Sequence, residues 1–160
     1  LGDLYQFDDS KLIWINLTNL TQGIVPVARE GHGFTGGPDD NLYVYGGKSR
    51  EGLLDDLYSY EPARRMWNLL VQNGGFLPAA RWFHGISEAN GKLFVFGGMS
   101  YSGLLNDLHM YDLSNFMWVD LSRNVSGASP SPRQAHGFTT CNDKLYVFGG
   151  WDGEANLMDL

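Results

Sequence analysis

Three histidines, three arginines and a set of aspartates are the residues best suited to chemistry in this chain, and they recur together. His32, His84 and His136 each stand three residues after an arginine: Arg29, Arg81 and Arg133. Asp56, Asp107 and Asp159 follow at similarly regular intervals. A set of imidazoles can ligate zinc, but only if their nitrogens converge within about 2.1 Å of one ion. Residues that occur once per unit of 51 to 53 positions occupy equivalent places in separate units, which does not bring them to one point. An arginine with a regularly spaced aspartate suits a repeated bidentate ion pair. The histidines then fit a repeated role in packing and hydrogen bonding.

The glycines raise a second chemical question. Gly46 and Gly47 close the hexapeptide LYVYGG, Gly97 and Gly98 close LFVFGG, and Gly149 and Gly150 close LYVFGG. A phosphate-binding loop needs glycines that lead into a helix N-terminus, often with a lysine. Here GGKSREGLLDDL and GGMSYSGLLNDL run into another strand. The pairs therefore mark strand ends that need positive φ and close backbone approach. No Ser-His-Asp set or carboxylate pair stands apart from the repeat, and no catalytic residue, metal or cofactor is expected. Cys141 is alone. It can form no disulfide within these residues, which removes one sign of secretion without excluding it.

The elements that must carry these residues follow from the period. Trp14, Trp67 and Trp118 share the spacing of the histidines and the glycine pairs. Each unit reads as four short strands. The first is HGFTG, HGISE or HGFTT, and a polar hairpin joins it to the hexapeptide strand. The third is DLYQF, DLYSY or DLHMY, and the fourth carries the Trp in LIWINL, RMWNLL or FMWVDL. In the hexapeptide, Leu and Val face one way and Tyr or Phe the other. A strand apolar on both faces belongs in a sheet covered on both sides. Four-stranded units stacked around an axis meet that need, and the arrangement is an all-β propeller.

Gly-Gly closing the second strand, Asp-Leu-Tyr opening the third and Trp on the fourth resemble the kelch repeat. Ala-Arg-x-x-His-Gly at 28–33 and 80–85, with the variant Pro-Arg-Gln-Ala-His-Gly at 132–137, is similar to a common kelch subtype. The resemblance covers essentially the whole chain. It implies kelch-type blades of four antiparallel strands, with repeats at about 3–55, 56–106 and 107–158. Blades would span 32–71 and 84–122, with part-blades at 1–20 and 136–160. Propellers have four to eight blades, so three repeats are expected to be part of a longer chain. The rival is a three-repeat protein that pairs head to tail with a copy.

Some kelch propellers resemble galactose oxidase, whose chemistry implies a Tyr–Cys crosslink and symmetry-breaking His and Tyr ligands. Here every histidine except His109 sits at the symmetric position, so such a site would have to lie in further repeats. A ubiquitin-ligase adaptor would need a dimerisation domain that these residues do not contain. The favoured function is a non-enzymatic protein-interaction or scaffold module, with other proteins, or further repeats of the same chain, as partners. The loops joining the second to the third strand, and the fourth to the next first strand, fall on one face. They are also the variable segments, and loops on a rigid scaffold carry recognition. Arg50, Glu51, Phe76, Tyr101, Trp151 and Asp152 are the candidate contacts. Trp82 and Phe83 are expected in the core instead.

The 160 residues carry a formal net charge of −7, with 43% hydrophobic and 18% charged residues. Binding nucleic acid requires a clustered basic face, which this chain lacks, and no run of 18 apolar residues suggests membrane insertion. Asn16, Asn19 and Asn124 head Asn-x-Ser/Thr sequences and are candidate glycosylation sites. They incline the localisation towards a secreted or cell-surface protein rather than a cytoplasmic or cytoskeletal one.

Overall fold

The computed structural model describes residues 2–71 and 76–158. Its strands follow the chain as antiparallel hairpins. Strands β1 (Tyr5–Asp8) and β2 (Ile13–Asn16) form one pair. The two-residue β3 (Gln22–Gly23) precedes β4 (Gly33–Gly36), β5 (Leu42–Lys48), β6 (Leu53–Glu61) and β7 (Met66–Leu69). Next come β8 (Gly85–Ala89), β9 (Lys92–Ser100), β10 (Gly103–Asp112) and β11 (Met117–Asp120), then the hairpin β12 (Gly137–Cys141) and β13 (Lys144–Phe148). β4 to β7 make one antiparallel meander and β8 to β11 a second. This is the architecture of a partial kelch β-propeller.

One strand has no signal in the sequence. β3 adds to the outer edge of β7 in parallel, with Gln22 N–H donating to Arg65 O at 2.8 Å and Ile24 N–H to Trp67 O at 3.0 Å. Only backbone groups make this contact. It ties the segment after one unit to the outer strand of the next.

The core lies between sheets. Tyr43 and Tyr45 of β5 face Leu93 and Val95 of β9, and Ile86, Leu57, Tyr111 and Trp118 complete the cluster. The aromatic face of one hexapeptide thus packs on the Leu/Val face of the next. Tyr45, Leu93 and Val95 are fully buried, consistent with strands covered on both sides. At ~25 cal/mol per Å² of apolar area removed from water, such interfaces dominate the stability of a stacked-repeat fold.

The histidines and glycines interlock across that interface. A Cβ at Gly33 would lie 2.7 Å from His84 Nε2, and one at Gly46 would lie 3.1 Å from His84 Cε1. The His84 ring meets Tyr45 edge-on at 5.3 Å between centroids. His136 repeats the arrangement against Gly85, Gly97 and Phe96, with a ring separation of 5.4 Å. The imidazole therefore fills a slot that only glycine leaves open. Gly46 and Gly47 also take φ of 59° and 97°, and a register shift falls between Tyr45 and Gly47. That combination is a bulge that re-aims the strand.

Not every repeated residue has the same surroundings. Trp67 and Trp118 are buried, but Trp14 is 70% exposed and touches Phe7 at 5.0 Å. The β1–β2 pair has no inner strands beside it among the described residues. At the other end, Tyr146 and Phe148 of β13 are exposed for the same physical reason: among the described residues no further sheet covers them.

Candidate functional site: the loop face

Each arginine anchors the loop face from below. Arg29 Nη1 and Nη2 donate to Asp56 Oδ1 and Oδ2, and Nη1 also donates to Gly46 O at 2.9 Å. Arg81 makes the same contacts with Asp107, at 2.6 and 2.7 Å, and with Gly97 O at 3.0 Å. The Nε groups donate to Val27 O and Ala79 O. One buried guanidinium thus holds a bulge carbonyl, a loop carbonyl and the third strand's carboxylate. Burial alone would raise the Asp107 carboxyl. Hydrogen bonds from Arg81 and His109, with the Arg81 charge, overcome this and hold it well below the usual carboxylate range. Arg133 donates to Gly149 O at 3.1 Å and to Ser131 O at 3.0 Å. Its aspartate counterpart by sequence, Asp159, lies outside the described residues.

The histidines of the interlock are held neutral. Burial, reinforced by the Arg81 charge, pushes His84 down to about 3. Burial and Arg133 push His136 down to about 4. His32 moves in the same direction, through burial and then Arg29. Neither ring nitrogen of His84 has a hydrogen-bond partner among the described residues. The His84 and His136 rings both pack against glycine and aromatic neighbours of the adjoining sheet. Among the described residues, no group of three His, Cys, Asp or Glu side chains converges as a metal site requires.

Above this frame lie the candidate contacts. Arg50 and Glu51 are exposed on a tight turn, where Ser49 N–H donates to Gly52 O at 2.9 Å and Glu51 N–H to Ser49 Oγ at 3.1 Å. Tyr101 is 79% exposed, yet its hydroxyl accepts the Leu53 N–H at the start of β6 at 2.9 Å. It ties its own loop to the first residue of β6. Trp151 is half-buried, and its backbone exchanges hydrogen bonds with Gln134 at 2.9 and 3.0 Å. Asp152 Oδ1 accepts Ala155 N–H at 2.8 Å and Glu154 N–H at 2.9 Å, which lowers its pKa.

Phe76 reaches the frame through His109. Its ring is 62% exposed and stacks on the buried imidazole at 5.9 Å with an interplanar angle of 7°. His109 Nε2 is 2.8 Å from Asp107 Oδ2. A continuous path therefore runs from Arg81 through Asp107 and His109 to an exposed aromatic. Residues 72–75 of the same loop lie outside the described residues. The sequence marked His109 only as the histidine that broke the repeat, and its place beside Asp107 follows from alternation on β10.

Trp82 and Phe83 differ from the sequence expectation. Trp82 is half-buried, with Lys48 Nζ 4.6 Å from its ring and Phe83 at 4.5 Å. Phe83 is 37% exposed with φ of 51°. It sits in a backbone relay, donating to Gly31 O at 2.7 Å and accepting from Ala135 N–H at 2.8 Å. The left-handed turn lifts its side chain out of the sheet. Of the candidate glycosylation sites, Asn16 is exposed but engaged with Tyr5 and Thr18, while Asn19 and Asn124 are exposed. No helix among the described residues is long and apolar enough to cross a membrane.

Comparison with known proteins agrees with this architecture. The family model described as the KLHDC2/KLHL20/DRC7 Kelch-repeats domain matches residues 1–160. The Leucine-zipper-like transcriptional regulator 1 homolog of Drosophila melanogaster is 34% identical over 76% of this chain and 13% of its own length. Host cell factor 2 of Homo sapiens is 32% identical over 91% of this chain and 18% of its own. The N-(sulfonatooxy)prop-2-enimidothioate sulfolyase of Thlaspi arvense is 30% identical over 94% of this chain and 44% of its own. The chain thus spans less than half the length of each of these relatives.

Proposed function

The chain belongs to the kelch-repeat family, and from that membership we propose that it is a non-enzymatic protein-interaction or scaffold module of a longer kelch-repeat protein. Two whole blades at 32–71 and 84–122, flanked by part-blades, present the loop face to a partner protein. Arg50, Glu51, Phe76, Tyr101, Trp151 and Asp152 are the contacts we assign.

The observation that carries this proposal is Tyr101. A side chain so exposed normally samples several rotamers, and fixing it on binding costs about 0.5–1.5 kcal/mol. Here the Leu53 N–H already holds its hydroxyl, so part of that cost is met before a partner arrives. Phe76 is fixed in the same way, by stacking on His109. Exposed, pre-organised aromatics are the residues that become interface hot spots.

Quantitative affinity capture from the cells that express the protein tests this. Tyr101→Ala and Phe76→Ala should each reduce recovery of co-purifying protein by tenfold or more. Trp14→Ala, at an exposed aromatic of the outer strands, should leave recovery unchanged. Equal recovery with all three variants would remove the loop face from the account.

A further inference from the structure

We propose that Ser131 is a phosphorylation site for a proline-directed serine/threonine kinase, and that Arg133 of the same loop holds the phosphate. Ser129-Pro130-Ser131-Pro132-Arg133 lies in the connection between β11 and β12, and none of these residues belongs to a strand. Pro130 and Pro132 carry no N–H to donate to a sheet, and Pro132 pushes Ser131 towards extended backbone. That is the form in which a kinase cleft takes up a peptide. Ser131 is exposed, and its exposure is a property of the repeat rather than of the chain's end. Ala79 stands two residues before Arg81, as Ser131 does before Arg133. It lies between the two whole blades and is exposed as well.

The repeat also shows what is particular to this position. Val27 and Ala79 hold it in the first two units and offer no hydroxyl. In all three units the arginine Nε donates to the carbonyl of this residue: Arg29 to Val27, Arg81 to Ala79 and Arg133 to Ser131. In the third unit the guanidinium also reaches the side chain, with Arg133 Nη2 donating to Ser131 Oγ at 3.0 Å. Arg133 is 2% exposed and is held in place by its contact with Gly149 O. A hydroxyl that accepts from Nη2 keeps its own O–H for reaction. The phosphorus would bond to the very atom that Nη2 contacts, which brings its oxygens to the guanidinium at the exposed side of the loop.

The reaction forms a bond from Ser131 Oγ to the γ-phosphorus of ATP as the bond from that phosphorus to the β–γ bridging oxygen breaks. The hydroxyl proton passes to the kinase's catalytic aspartate, and ADP leaves. The product carries a charge of about −1.5 to −2 and three acceptor oxygens. Set against an arginine, such a group forms charge-assisted hydrogen bonds that order a loop. The loop already rests on β10, where Asn106 Nδ2 donates to Pro130 O at 3.3 Å. The step needs ATP, so this loop belongs to a compartment that holds it, against the inclination drawn from the Asn-x-Ser/Thr sequences. Asn124 heads one of those sequences in the same loop, so the two modifications are distinguishable at one place.

The test uses the full-length protein that carries these residues, incubated with a cyclin-dependent kinase and ATP. Trypsin, cutting after Arg123 and Arg133, releases residues 124–133 as one peptide. Fragment-ion sequencing should place the phosphate on Ser131, with at least tenfold less on Ser129. Ser131→Ala gives the third unit the residue of the second, so it should keep the fold and lose that signal. Phosphorus NMR of the modified protein should show the phosphate titrating about one pH unit lower when folded than in urea. No phosphate on the folded protein, or phosphate confined to Ser129, would overturn the site. Equal titration midpoints would overturn the role of Arg133. A glycan on Asn124 in the same peptide, from protein taken from the expressing cells, would overturn the proposal as a whole.

Discussion

Acid should loosen the contact between blades before it affects the ion pairs. His84 is pushed down to about 3 and His136 to about 4, against about 6.5 in an unfolded chain. Between those values the unfolded state binds protons that the folded state refuses. Stability is therefore complete above pH 6.5 and falls as the pH drops towards 4. At pH 5.5 the shift of His84 costs about 1 kcal/mol, and at pH 4.5 about 3 kcal/mol. His136, less enclosed, adds at most as much. For a chain of this size, a loss of 2–3 kcal/mol lowers the melting temperature by roughly 5–10 °C. Urea unfolding at half-unit steps from pH 7.5 to 4.5 reads the proton uptake directly, with close to two protons expected in the steepest part. His84→Gln, which keeps a polar side chain of similar length but cannot titrate, should remove about one of them. An unchanged pH slope in His84→Gln and His136→Gln together would refute the interlock as the acid-sensitive element.

Three further perturbations probe other parts of the frame. Asp107→Asn leaves the fully buried Arg81 without its charge partner and should cost about 3–5 kcal/mol in urea unfolding, with Asp56→Asn smaller because Arg29 is less enclosed. Gly46→Ala meets Arg81 O at 2.8 Å as well as positive φ, whereas Gly91→Ala meets positive φ alone with nothing within 4 Å. Thermal melts should show Gly91→Ala costing roughly 1–2 kcal/mol and Gly46→Ala clearly more. Tyr101→Phe removes the acceptor of the Leu53 N–H and should speed amide exchange at Leu53 about tenfold with little change in global stability.

The repeat, the strands and the two-faced hexapeptide were legible because each recurs in the residues themselves. Glycine, histidine and tryptophan at one period are enough to specify a stack of sheets. The pairing of Arg29 with Asp56 and of Arg81 with Asp107 was also legible, since both partners recur at fixed offsets. What escaped the sequence depends on neighbours in space. β3 is two residues bound only through backbone atoms, so no side-chain pattern announces it. The seat of His84 against Gly33 and Gly46 crosses from one sheet to the next, and glycine records it as an absence. Phe83 stands out of the core because its backbone turns left-handed, a conformation that a bulky aromatic does not suggest. Tyr101 was legible as a loop aromatic, but its bond to Leu53 joins a loop to a strand start 48 residues away.

The central claim is that a stack of interlocked kelch blades offers its loop face to a partner protein. Photocrosslinking in the expressing cells, with benzoylphenylalanine at one position at a time, tests it most directly. Tyr101 and Phe76 stand on the loop face, and Asn90 on an exposed hairpin at the opposite end. Discrete adducts with another protein from positions 101 and 76, and none from 90, are the predicted result. Adducts from position 90 while 101 and 76 stay silent would contradict the claim.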